Sequence, residues 1–235
     1  MNDKKSIIRT ESHMIQNKMC VRNKGTPGTS GRPLTSEQDG QMSISEMQEE
    51  LKRHLNPKRY SHSVRVMETA VELAGVHGID ENKAAIAGLL HDCMRDVKGE
   101  ELRLTCEKYG ISSCGVYDVD KGNARLIHSA LGAEAAEEYF GVCDSEIKEA
   151  IRRHTFGCAE MSELSKIVYV ADYIEPGRKL EGIEKIAAEA REDLDAAMLT
   201  ILNNTILYII QKKAPLHPDT IEARNSILNK MSKPG

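Results

Sequence analysis

The run Ala84-Ala85-Ile86-Ala87-Gly88-Leu89-Leu90 is helix-like and wholly apolar, and it stops at His91-Asp92. This junction constrains the chain more than any other feature. Adjacent side chains on a helix point about 100° apart, so the two polar groups do not share one core contact. Both reach one ion if the helix edge lines a cleft. Imidazole and carboxylate are common ligands for divalent metals.

The rest of the sequence reads as helices with identifiable ends. Ser45-Glu46-Met47-Gln48 resembles a capping box, followed by Met47, Leu51 and Leu55 at i, i+4, i+8. Pro57 breaks that helix and opens a second, which runs to about His77. Gly78 then serves as its C-terminal residue and Asp80 as N-cap of the third, which carries His91-Asp92. Further helices are predicted near 99–108, 124–139, 145–154 and 163–174, with a loop over 111–123. A long one over 193–211 turns Leu194, Met198, Ile201, Thr205 and Ile209 inward, and a last short one is capped by Asp219. No segment alternates with period two for long enough to make a sheet. With 235 residues, 40% of them hydrophobic but only two Phe and no Trp, the composition suits helix packing. The expected fold is an all-α globule over 42–235. Residues 1–41, with seven Lys/Arg against four Asp/Glu and a Gly/Pro/Ser-rich stretch at 25–33, read as a disordered tail or flexible linker.

A net charge of −4 does not point to a nucleic-acid surface. No N-terminal apolar segment precedes a cleavage site, and no apolar run is expected to approach the length of a membrane span. The six cysteines form no C-x-x-C pair, which fits a reduced cytoplasmic protein. Cys93 reads as a small packing residue rather than a nucleophile.

Polar residues recur on otherwise apolar faces. His62 shares its face with Val66, Thr69 and Leu73. His128 shares one with Gly132 and Ala135, small residues that let another element approach. His154 ends the stripe of Ile147 and Ile151. Asp172 lies in the apolar stretch Ile167–Ile174, where an unpaired carboxylate costs several kcal/mol. An ion pair with an arginine answers that cost; so does a metal, and the inward histidines on four other helices favour the metal. The candidate ligand set is His62, His91, Asp92, His128, His154 and Asp172. Nitrogen and carboxylate donors suit iron or manganese, and two ions about 3.5–4 Å apart bridged by Asp92 fit the count.

Arg59-x-x-His62-Ser63, Leu89-Leu90-His91-Asp92, Ile127-His128, His154-Thr155 and Ala171-Asp172-Tyr173-Ile174-Glu175-Pro176-Gly177-Arg178 together resemble the YqeK family of HD-domain hydrolases. So does His217-Pro218-x-Thr220-x-x-Ala223-Arg224-Asn225 near the end. The resemblance covers about residues 43–230. It implies an all-α fold and metal-dependent symmetrical hydrolysis of diadenosine tetraphosphate, and of related dinucleoside polyphosphates, to two nucleoside diphosphates. The implied cofactor is one or two divalent ions, iron first, with manganese and cobalt as alternatives. His62, His91, Asp92 and Asp172 would hold one ion; His128 and His154, with Asp92, would hold a second or contact phosphate. Arg59, Arg95, Thr155 and Arg178 would bind substrate, with surface ion pairs as the rival reading of the arginines. Two positions depart from the family pattern: Phe156 follows His-Thr where a small polar residue is expected, and Arg95 replaces a common lysine.

The same ligand set suits a nucleotidase, another signalling-nucleotide phosphohydrolase or a di-iron oxygenase. A nucleotide-binding regulator without turnover is the reading from a different class. The expected partner is the nucleotide, with no nucleic acid and no membrane; a homodimer is compatible with all of these.

Overall fold

The computed structural model describes residues 40–111 and 127–232. The predicted tail, apart from its last two residues, and nearly all of the predicted 111–123 loop lie outside them. The described residues form ten α-helices and no strand. They are α1 Ile44–His54, α2 Pro57–His77, α3 Glu81–Leu90, α4 Gly99–Lys108 and α5 His128–Phe140, then α6 Ser145–Arg153, α7 Glu163–Ile174, α8 Ile183–Glu192, α9 Leu194–Gln211 and α10 Pro218–Met231.

The apolar run has a direct structural cause. Every residue from Ala84 to Leu90 is buried, because α3 packs against α1, α2, α6 and α7 at once. Helix α7 is the second interior helix, with Leu164 through Ala171 all buried. The one cation in that stretch, Lys166, is held by Glu163 and Asp195, each 2.6 Å away. Helices α2 and α3 approach most closely at Gly88, where a Cβ would stand 3.0 Å from the Met67 Cα and 3.2 Å from the Ala70 Cβ. Gly132 plays the role expected of it: a Cβ there would lie 3.2 Å from Ile151.

Several boundaries differ from expectation. The capping box is Ser43 with Glu46, two residues earlier than Ser45 with Gln48. Both pairs fit the motif, but the Glu46 carboxylate accepts from the Ser43 amide at 2.8 Å, a charge-assisted bond that an amide side chain cannot match. Helix α3 ends at Leu90, so His91-Asp92 lies just beyond it, in a run of tight turns with Cys93 N bonded to Leu90 O and Arg95 N to Asp92 O. Helix α8 was not foreseen. The last helix is 14 residues long, with Pro218 in its first turn, and its N-cap is His217, whose Nδ1 accepts from the Asp219 amide at 3.1 Å.

Of the inward stripe of α9, Leu194, Met198 and Ile201 are buried and Thr205 and Ile209 are half-buried; off the stripe, Leu207, Tyr208 and Ile210 are exposed. By length and composition Leu194–Gln211 is also apolar enough to cross a membrane, which corrects the expectation that no run approaches that length. In the fold α9 packs against α7, α8 and α10.

Candidate metal centre

Five helices deliver the six residues to one place, mostly from their ends. His62 comes from the second turn of α2, His91 is the C-cap of α3 and Asp92 follows it. His128 is the first residue of α5, His154 the C-cap of α6, and Asp172 sits in the last turn of α7. Contrary to the sequence argument, His91 and Asp92 are both buried, at 0% and 3% exposure. Beyond the helix end the turn aims both side chains at the same cluster.

Local hydrogen bonds fix which nitrogen each ring presents. His91 Nδ1 donates to Gly88 O and His154 Nδ1 to Ile151 O, both at 2.7 Å. His62 Nδ1 donates to the Glu175 carboxylate at 3.1 Å. Carbonyl and carboxylate oxygens only accept, so in the neutral rings Nε2 carries a lone pair. The His62 and His91 Nε2 atoms nevertheless stand 3.2 Å apart. Asp172 Oδ1 lies 3.1 Å from His62 Nε2, and Asp92 Oδ2 lies 3.5 Å from His91 Nε2. Four acceptors facing one another form a site suited to a cation.

The other oxygen of Asp92 faces a second pair. Its Oδ1 is 2.9 Å from His128 Nε2 and 3.6 Å from His154 Nε2, and those two nitrogens are 3.0 Å apart. His62, His91 and Asp92 are therefore grouped closely enough to share an ion, as are Asp92, His128 and His154. Thr155 Oγ1 lies 3.2 Å from His154 Nε2.

Electrostatics agree with this geometry. Burial works to raise the Asp92 and Asp172 carboxyls, yet the surrounding imidazoles, and Arg178 at Asp172, hold both well below the usual carboxylate range. Burial works to lower the His91 pKa, yet Asp92 and Asp172 raise it. Burial lowers His128 to about 4, which keeps that ring neutral. The donor set fits a divalent cation: imidazole nitrogen and carboxylate oxygen ligands, with lone pairs in place.

The sequence posed an ion pair or a metal for Asp172. The carboxylate has its arginine, with Arg178 Nη2 at 2.5 Å, and it also faces the histidines. Arg59 Nη1 meets Asp92 Oδ2 at 2.5 Å, and Arg95 Nη1 lies 2.9 Å from His128 Nδ1. These three arginines and Thr155 line one cavity of about 270 Å³ beside the cluster. Phe156, one of the two departures from the family pattern, is not among its lining residues; it stacks on His217 at 4.1 Å between ring centroids.

The HD domain family profile matches residues 59–177, a span that holds all six cluster residues. Over 179 residues the chain is 38% identical to a protein of Halalkalibacterium halodurans named symmetrical bis(5'-nucleosyl)-tetraphosphatase, covering 76% of this chain and 93% of that one. The chain belongs to the YqeK family of HD-domain proteins. A Bacillus subtilis protein of the same name is 36% identical, covering 76% of this chain and 94% of its own length. The crystal structure of an HD superfamily hydrolase of Clostridium acetobutylicum, described as involved in NAD metabolism, has 42% sequence identity to this chain. It superposes with a TM-score of 0.75, covering 81% of this chain and all of that one.

Within this YqeK-family site the sequence reading gave no role to Glu175, named only within the Ala171–Arg178 motif, or to its partner Arg65. It also missed Tyr169, Tyr173, Leu180, Ile201 and Thr205 as cavity wall. Ile201 and Thr205 were placed on the inward stripe of α9, but nothing in their spacing distinguishes a cavity wall from a core. Cys93 is the packing residue it was read as: 7% exposed, its Sγ directed at Gly132 O, and its thiol pushed up to about 12 by burial and the Asp92 charge. Native protein treated with iodoacetamide at pH 8 is expected to be alkylated at exposed Cys143 and spared at Cys93 by peptide mass spectrometry. Equal rates at the two thiols would contradict this environment.

Proposed function

We propose that the chain hydrolyses dinucleoside tetraphosphates symmetrically, taking diadenosine tetraphosphate to two ADP. The observation that carries the reading is the position of Asp92, one oxygen toward His62 and His91 and the other toward His128 and His154, beside a cavity with three arginines. The named activity of relatives 36–38% identical over more than nine-tenths of their length supplies the substrate class.

In this reading His62, His91, Asp92 and Asp172 hold one divalent ion, and Asp92, His128 and His154 hold a second, with iron as the resident metal. Bound divalent ions supply Lewis acidity and lower the pKa of water to near neutrality. The protein's own groups do the rest. Arg59 and Arg178, which pair with Asp92 and Asp172, also line the cavity and would bind phosphate there. Arg95 and Thr155 meet the phosphate chain from the His128–His154 side. Tyr173, Leu180 and Ile201 give the nucleoside an apolar wall. Water adds to one of the two inner phosphorus atoms and that atom's bond to the bridging oxygen breaks; one ADP departs with the bridging oxygen, the other carries the oxygen of the water, and the proton passes to solvent. Phosphate is a good leaving group, so charge neutralisation by the arginines matters more than a strong general acid. We assign catalysis to residues 42–235 and a linker role to 1–41, and we place the protein in the reducing cytoplasm, where its described cysteines stay free thiols.

Incubation with diadenosine tetraphosphate and Fe²⁺, Mn²⁺ or Co²⁺ is expected to yield ADP as the sole nucleotide product, and chelation should stop it. ATP with AMP would overturn the symmetrical assignment. Nucleoside monophosphate hydrolysis without dinucleotide turnover would establish the nucleotidase instead.

A further inference from the structure

The segment after α7 is a compact device aimed at one metal-facing ring. Glu175 is 2% exposed, and its carboxylate is bonded on three sides. Oε1 accepts from His62 Nδ1 at 3.1 Å, Oε2 accepts from the Gly177 amide at 2.6 Å, and Arg65 reaches Oε2 through Nε and Oε1 through Nη2. Arg65 is one turn along α2 from His62, so ring and guanidinium share the face that meets Glu175. Gly177 is required by this packing: a Cβ there would fall 2.3 Å from Arg65 Nη2. The next residue, Arg178, turns back to Asp172. The turn Glu175–Arg178 therefore locks one ring through its rear nitrogen and grips one carboxylate from the front.

We infer that Glu175 is a positioning residue for His62, clamped by Arg65 and the Gly177 amide, and that it sets how tightly the centre holds its metal. The physical reason is specific. A carboxylate behind an imidazole fixes the tautomer that leaves Nε2 free, stops ring rotation and makes Nε2 more basic. His91 and His154 have backbone carbonyls behind them and His128 has the Arg95 guanidinium, whereas His62 is backed by a carboxylate. Arg65, bonded to both carboxylate oxygens, holds Glu175 against the rear of the His62 ring. The inference rests on the proposed reading of His62 as a ligand and goes beyond it to residues outside the ligand set.

The test is Mn²⁺ titration of metal-free protein followed by electron paramagnetic resonance, on wild type, Glu175→Gln, Arg65→Lys, His62→Ala and the double variant H62A/E175Q. Outer partners of metal-bound histidines are worth about 10- to 100-fold in metal affinity. Glu175→Gln is expected to weaken Mn²⁺ binding by that factor. Arg65→Lys, which keeps the charge, is expected to weaken it less. If Glu175 acts through His62, adding Glu175→Gln to His62→Ala changes the affinity by less than about twofold, the signature of coupled residues. A purely structural Glu175 would weaken both backgrounds equally and lower the melting temperature of metal-free protein without a selective loss of Mn²⁺. That result overturns the inference, as does wild-type affinity in Glu175→Gln. Should Glu175→Gln fail to fold, Arg65→Lys and Arg65→Met carry the comparison: full affinity in both refutes the clamp. Failure of wild type to bind Mn²⁺ would refute the ligand reading itself, a distinct outcome.

Discussion

Asp92→Ala is expected to lose both metal and turnover. The carboxylate points one oxygen at each histidine pair and belongs to two of the three groups of cluster residues placed to share an ion, so its removal breaks both of those at once. Metal assistance is worth several kcal/mol of transition-state stabilisation, and about 4 kcal/mol corresponds to a rate loss on the order of 10³-fold. Metal analysis of the purified variant should show a matching deficit. Asp92→Asn preserves the shape but not the charge and is expected to behave nearly as badly, because the lone pairs and the neighbouring arginines are arranged around a carboxylate. Thermal unfolding of the metal-free variants separates a lost site from a lost fold. Turnover within tenfold of wild type at full metal content would remove Asp92 from the centre of the mechanism.

Gly88→Val is expected to cause the largest loss of stability. In an open helix, replacing glycine by alanine gains about 1 kcal/mol. Here the first added carbon already meets the Met67 backbone at 3.0 Å, so α2 and α3 must separate, and valine adds two further methyl groups. Overpacking of this kind costs about 3 kcal/mol, which in a chain of this size lowers the melting temperature by about 6–12 °C. The same displacement pulls His62 on α2 away from His91, whose Nδ1 is anchored on the Gly88 carbonyl itself. Metal content should therefore fall together with stability. An unchanged melting temperature in Gly88→Val would show that the two helices are free to adjust, against the close contact seen here.

How much of this was legible depended on the kind of signal. Burial of polar residues was readable where a lone His interrupted an apolar stripe, as at His62, His128 and His154, and Asp172, half-buried at the end of its stripe, converges with them. The direction of a side chain beyond a helix end was not. Spacing arguments assume helical geometry, and His91-Asp92 lies past the last turn of α3, where both groups point inward. Glu175 was hidden for a different reason: an acid before Pro-Gly has the composition of a solvent-exposed turn, and only the chain fold brings Arg65 and His62 around it. Helix α8 did carry a signal, since Ile183, Ile186, Ala187 and Ala190 stand at i, i+3, i+4, i+7, but the charged residues between them masked it. The capping-box error came from two overlapping matches to one pattern, decided by which acceptor carries a charge.

Because the six cluster residues sit mostly at helix ends drawn from positions 62 to 172, no short stretch of chain contains a working subset. An ion held by them acts as a reversible cross-link that closes four successive loops, and its binding energy becomes part of the folding energy. Loading must then follow tertiary assembly rather than guide it. A chain emerging from synthesis cannot complete the ligand set until α7 has docked, so metal content reports whether α2 to α7 are assembled.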